Sequence, residues 1–173
     1  GGIFPREKDI IVLGNDIREA DDINIALGNL TYEADDQIGP DSTEYTSGVG
    51  SVGGKSLLSY LRLETTVGAQ TMDIDILIAD AAITTTSSDG VVWAASQPNL
   101  ATILQVIPIR EYHWVPTSGT LDSYAIVPPD ELGQLLQATA ASTSFYIGAV
   151  WRDIDLAVGS SEELKLRLGF SYI

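Results

Sequence analysis

The chain has 173 residues, 45% of them hydrophobic, and carries 24 Asp and Glu against nine Lys and Arg, giving a net charge of −15 and a pI near 4.1. That length fits one domain able to bury roughly 70% of the surface its unfolded form exposes, and no apolar run approaches the ~20 residues of a membrane-spanning helix. The charge repels phosphate backbones, which argues against nucleic acid as a partner, and the absence of cysteine excludes disulfides, thiol catalysis and thiolate metal sites.

Gly1 to Arg6 lacks an initiator Met and the apolar core of a signal segment, and reads as a trimmed or engineered start. Asp9 to Leu13 then brings Ile10, Ile11, Val12 and Leu13 together ahead of Gly14-Asn15-Asp16, a short apolar run bounded by turn residues and hence a buried strand. Asp22 to Leu30 alternates, with Ile23, Ile25 and Leu27 on one side and Asn24, Ala26 and Gly28 on the other, which predicts a second strand. From Thr31 to Lys55 the chain turns polar and glycine-rich and is expected to form a long connection or exposed loop.

Leu57 to Val67 and Thr71 to Ala79 are extended runs separated by Val67-Gly68-Ala69-Gln70, the pattern of a hairpin. In the second run Met72, Ile74, Ile76 and Ile78 share a face opposite Asp73 and Asp75. Ile83 to Thr86 extends it and Val91 to Ala95 resumes after the Ser87-Ser88-Asp89-Gly90 turn. In Gln97 to Ile107, Pro98 and the spacing of Leu100, Ile103, Leu104 and Ile107 indicate a short helix running into a strand. Tyr112 to Val115 and Leu121 to Val127 read as strands on either side of Pro116-Thr117-Ser118-Gly119.

A helix is expected near 129–141, because Pro128-Pro129-Asp130-Glu131 supplies a proline start and first-turn acids while Leu132, Leu135, Leu136 and Ala140 keep helical spacing. Phe145 to Val150, Ile154 to Val158 and Leu164 to Ile173 complete the chain as strands. The last alternates strictly, Leu164, Leu166, Leu168, Phe170 and Tyr172 against Lys165, Arg167, Gly169, Ser171 and Ile173, so this segment lies inside a sheet. Eight or more short strands with one helix indicate an all-β domain over 1–173, a single jelly-roll sandwich or barrel.

Four groups of residues invite a chemical reading. Gly48 to Ser56 ends in the Gly54-Lys55-Ser56 of a phosphate-binding loop, and Ile76-Leu77-Ile78-Ala79-Asp80 supplies an apolar run with a terminal Asp to share magnesium with Ser56. Against that nucleotide-binding enzyme stand Val49 where the first glycine belongs and the polar stretch Asp41 to Ser47 where an apolar strand is needed. Asp73 with Asp75, or Asp153 with Asp155, share a strand face and could work as a glycosidase pair or bind calcium with Asp21-Asp22 or Asp35-Asp36; a solvated acidic face explains them equally. His113, the only histidine, lies between Tyr112 and Trp114 and reads as a packed or interface residue, since no serine and acid are assigned to it. Trp93, Trp114 and Trp151 with seven tyrosines could build the stacking platform of a carbohydrate-binding module, although three tryptophans are also an ordinary core complement. No residue is singled out as catalytic, cofactor-binding or metal-ligating, and no cofactor is expected.

Lysine is scarce, with only Lys8, Lys55 and Lys165, while acid spreads through the loops as Asp21-Asp22, Asp35-Asp36, Asp41, Glu44, Asp89, Asp153 and Glu162-Glu163. Such a surface suits high salt, where the Debye length falls to ~3 Å at 1 M and self-repulsion is screened; the alternative is an ordinary acidic secreted or virion protein. In domain size, in the strand pattern from Asp9 to Ile173 and in acidic, lysine-poor composition, the chain resembles the single jelly-roll coat and decoration proteins of viruses. In particular it looks like the smaller major capsid protein of the icosahedral, internal-membrane viruses of halophilic archaea and their thermophilic phage relatives. That resemblance implies a virion location and a non-enzymatic structural role. It also implies a jelly roll upright on the capsid surface, packed with further copies and a companion coat protein around a membrane vesicle. The loop and edge surfaces Thr31 to Lys55 and Ser142 to Tyr146 are the expected contact regions.

Overall fold

A computed structural model describes residues 22–27, 30–66, 72–115, 123–159 and 162–173. In chain order the strands are β1 (Asp22–Ala26), β2 (Leu30–Tyr32), β3 (Thr43–Tyr45), β4 (Lys55–Thr65), β5 (Ile74–Ala79), β6 (Ile103–Ile109), β7 (Trp114–Val115), β8 (Ser123–Val127), β9 (Leu135–Gln137), β10 (Phe145–Trp151), β11 (Leu156–Val158) and β12 (Glu163–Tyr172), with one α-helical turn, α1 (Gln97–Leu100), ahead of β6. The strand expected at Asp9 to Leu13 and the turns at Val67 to Gln70 and Pro116 to Gly119 lie outside the described residues.

The strands form two antiparallel sheets. The first runs β1-β12-β4-β8-β7, with β9 also pairing β4; the second runs β3-β10-β5-β6; β2 and β11 make a short ribbon between them. Pairings nest. β1 pairs β12, β2 pairs β11, β3 pairs β10, β4 pairs β8 and β5 pairs β6, so that as the residue number rises the partner's number falls. The described chain is therefore one long antiparallel ribbon, doubled back at 80–102 and rolled until β12 meets β4 and β10 meets β5.

Period-two alternation decides what each face buries. On β12, Leu164, Leu166, Leu168 and Phe170 are buried; on β4, Leu58, Leu61 and Leu63; on β5, Ile74, Ile76 and Ile78, all in one cluster drawn from both sheets. Truncating one of these leucines to alanine costs about 2–5 kcal/mol, because a packed interior collapses only partly around the hole. β5 is buried on both sides, all six residues, and reads as a nearly continuous apolar run for that reason. Its outer side carries a second cluster, Leu77, Ala79, Ile83 and Val150, covered by Trp93, Ala95, Ile103 and Tyr146. The segment 81–102 thus lies over the outer side of the second sheet.

Several expectations are corrected. Ile83 to Thr86 and Val91 to Ala95 form no strand, only the isolated bridges Thr85–Ala95 and Asp36–Val92, and in Tyr112 to Val115 the strand is confined to Trp114–Val115 after a 3-10 turn. Leu57 to Val67 and Thr71 to Ala79 hold strands but form no hairpin: β4 belongs to the first sheet and β5 to the second, because each finds its partners far along the chain. The helix expected near 129–141 is a 3-10 turn over Pro129–Glu131 followed by β9. Leu136 and Ala138 are buried while Leu135 is half exposed, so the period there is two, and Gly133 breaks the run before a second turn can form. Thr31 to Lys55 is not a free loop: it contains β2 and β3 and buries Tyr32, Ile38, Tyr45 and Val49. The helix-to-strand transition in Gln97 to Ile107 is found as α1 and β6.

Candidate functional site

The glycine-rich loop at 48–54 packs against the chain around 138–144. Val49 N–H donates to Thr143 O, Gly53 N–H to Ser142 O and Gly54 N–H to Ser51 O, so these amides are already used. Ser56 is buried with its hydroxyl donating to Gly48 O at 2.7 Å, and Lys55 opens a strand. A phosphate cradle needs the start of a helix at that point. Asp80 stands at the end of β5, in the other sheet from Ser56. Gly48 has a packing reason instead: an added Cβ there would run into the Phe145 ring.

The carboxylates are brought together with arginines rather than with one another. Asp75 is buried on the outer side of β5, where Oδ1 accepts from Arg110 Nη2 at 2.8 Å and Oδ2 from Arg152 Nε at 2.9 Å. Arg152 also reaches Asp35 at 2.5 Å. Burial pulls the Arg152 guanidinium down, but the bonds to Asp75 and Asp35 outweigh it and hold the group above its ordinary value. Asp153 Oδ2 accepts from the backbone N–H of Asp73 at 3.1 Å. In a shallow depression of about 460 Å³ over Gly39, Pro40 and Asp41, Asp89 Oδ1 accepts from Tyr32 Oη at 2.6 Å and from Gly39 N–H at 2.8 Å, and Asp41 accepts from Thr85 and Gln37. Among the described residues no group of three or more acids or histidines has the geometry of a metal site.

His113 is fixed at both nitrogens. The Arg110 backbone N–H donates to Nδ1 at 2.9 Å, which leaves the ring proton on Nε2, 2.6 Å from Glu131 Oε2. Tyr112 Oη donates to the other Glu131 oxygen at 2.8 Å. The cluster ties the 3-10 turn Glu111–His113 to the one at Pro129–Glu131 and leaves neither imidazole nitrogen open as a base. Trp114 and Trp151 are buried, their indole N–H groups donating to Met72 O at 2.7 Å and Ile154 O at 3.0 Å, and Trp93 packs on the second cluster. The three tryptophans form no exposed stacking row.

What remains is a surface. The outer side of the second sheet is covered by 81–102 around Leu77, Ala79 and Val150, leaving Val106 of β6 exposed, whereas no described segment lies over the outer side of the first. Residues directly opposite across a sheet share a face, so the register sets this surface: Lys165 beside Glu64, Arg167 beside Arg62, and Tyr124 and Ile126 beside Glu64 and Arg62. Lys55, Leu57 and Leu135 continue it, and Val115 stands beside Tyr124. Arg62 bonds Glu64 at 2.7 Å and lies 5.1 Å over the Tyr124 ring, while its Nε is buried without a hydrogen-bond partner among the described residues. A groove of about 250 Å³ runs between Arg62, Glu64, Tyr124, Lys165 and Glu163.

The charges on that surface differ from those of the rest of the molecule. Of the six described cations, Lys55, Arg62, Lys165 and Arg167 point out from it, and the other two, Arg110 and Arg152, are both bonded to Asp75. The sequence signal for this face is Lys165 and Arg167 alternating with the β12 leucines. No protein-family model matches the chain, and no curated protein sequence matches it.

Proposed function

We propose that the chain is a virion structural protein, a coat subunit that assembles into a closed shell. The strand order carries the reading. With the β2–β11 ribbon and the short β7 and β9 set aside, eight strands remain; the first sheet then has the order first-eighth-third-sixth (β1-β12-β4-β8) and the second the order second-seventh-fourth-fifth (β3-β10-β5-β6), an order that supports reading the sandwich as a jelly roll of two Greek keys. Jelly rolls serve in viral capsids, in lectins and in cupins. The tied His113 and the buried tryptophans favour the first of these, since a cupin centre needs free histidines and a stacking platform needs exposed rings. A sheet face with no described segment over it, carrying Tyr124, Ile126, Leu135 and arginines, suits a protein contact surface. In that role the neighbours are further copies and a companion coat protein, in a virion shell and at high salt.

Light scattering and electron microscopy of the purified chain at low and molar salt test the proposal. Regular, closed assemblies that grow with salt are expected. A chain that stays monomeric at both salts and binds simple glycans instead would overturn it.

A further inference from the structure

We infer that the outer face of the first sheet, over which no described segment lies, docks a second copy of this chain through that copy's acidic corner, formed where the β2–β11 ribbon ends. The inference rests on the coat-subunit reading and names the two surfaces that meet.

One surface is the cationic and apolar face around Arg62, Lys165, Arg167, Tyr124 and Ile126, with its groove of about 250 Å³. The other follows from register. Tyr32 pairs Leu156, so Glu33 and Asp155 stand next to each other at the ribbon's end, with Asp153 and Asp35 beyond them. Between the acids Ile154 is 82% exposed, an apolar tip ringed by carboxylates. The sole described cation in that corner, Arg152, is held by Asp35 and Asp75. A protruding isoleucine among acids fits a groove with a tyrosine wall, whose rim carries Arg62 and Lys165 beside Glu64 and Glu163, set in a face that holds four of the six described cations.

The two surfaces lie on opposite sides of the sandwich. Asp75 faces away from the core on the second sheet, and through Arg152 it anchors Asp35 on that side; Lys165 and Arg167 face away from the core on the first. Contact between them is therefore head-to-tail, the kind that builds rings when the rotation closes and so can propagate a shell. It also explains why four of the six described cations share one face of a chain of net charge −15: copies that repel as wholes attract in one orientation.

A charge swap tests this. Two double variants are made, Lys165→Glu with Arg167→Glu on the face, and Glu33→Lys with Asp155→Lys at the corner, and circular dichroism and thermal unfolding establish that each is folded. Sedimentation velocity is then run at the salt where the unaltered chain associates. Each variant alone is expected to lose association by at least tenfold, and an equimolar mixture to regain it, because the acidified face of one now meets the basic corner of the other. If both variants associate like the unaltered chain, or the mixture stays dissociated, the inference is overturned while the coat-subunit reading stands. If the unaltered chain never associates, both are overturned. Should a double variant fail to fold, Lys165→Gln and Asp155→Asn replace it, and unchanged association of both then counts against the pairing.

Discussion

Asp75 is the one carboxylate in a strand whose six residues are all buried, and it survives there because two arginines reach it from different elements, Arg110 after β6 and Arg152 after β10. A carboxylate in such a place must stay paired, since losing its last cation leaves a charge in a poor solvent. Arg110→Ala or Arg152→Ala alone should cost about 1–2 kcal/mol, the worth of a charge-assisted bond reduced by the partial exposure of each guanidinium. The double substitution should cost more than the two together. Urea unfolding of the three variants measures this, and simple additivity would reject shared support of Asp75. Glu131 makes a pH prediction. The hydrogen bond from His113, followed by that from Tyr112, holds its carboxyl below the ordinary glutamate range. A carboxyl whose folded value lies below its unfolded one stabilises the fold above the unfolded value, and that stabilisation is lost as pH falls through the folded one. Glu131→Gln should therefore flatten the acid side of a stability-against-pH curve; a curve of unchanged slope would show that the His113 latch contributes nothing.

Local pattern was a good guide to which segments are strands and a poor guide to their neighbours. β5, β8, β10 and β12, and the passage from α1 into β6, follow from period-two alternation and turn residues. The false hairpin between β4 and β5 arose because loop length favours local pairing, while β4 pairs with a strand some hundred residues on and no local signal records that. The false helix over 129–141 arose because Leu132, Leu135 and Leu136 satisfy two periods at once; burial of Ala138 and exposure of Leu135 decide for the strand. As for the candidate site, its residues were visible but not its face, because which strands lie side by side determines that Arg62, Lys165 and Arg167 share a surface. In the glycine-rich loop, where Val49 and the polar stretch before it already speak against a phosphate cradle, the structure adds that the glycines serve contacts. Gly48→Ala should destabilise the fold by about 1–3 kcal/mol, the usual cost of forcing an extra methyl into packed surroundings, here the Phe145 ring. Thermal unfolding measures it, and an unchanged midpoint would mean that the ring yields freely.

For the molecule as a whole, charge and topology act together. Copies of net charge −15 repel over a Debye length of about 10 Å at 0.1 M salt and about 3 Å at 1 M, while groups in contact are screened far less. The expected growth of assemblies with salt follows from that difference, and tighter assembly at low salt would contradict it. The nested ribbon also fixes an order of events during synthesis. β12 is an interior strand of the first sheet, seated between β1 and β4, yet it is the last described strand to leave the ribosome. Until it emerges, β1 and β4 have no common partner, the leucines of β4 lack the other half of their core, and Lys165 and Arg167 are not yet on any surface. A chain from which β12 is missing therefore presents neither a closed first sheet nor the cations that the β12 alternation places on its outer face.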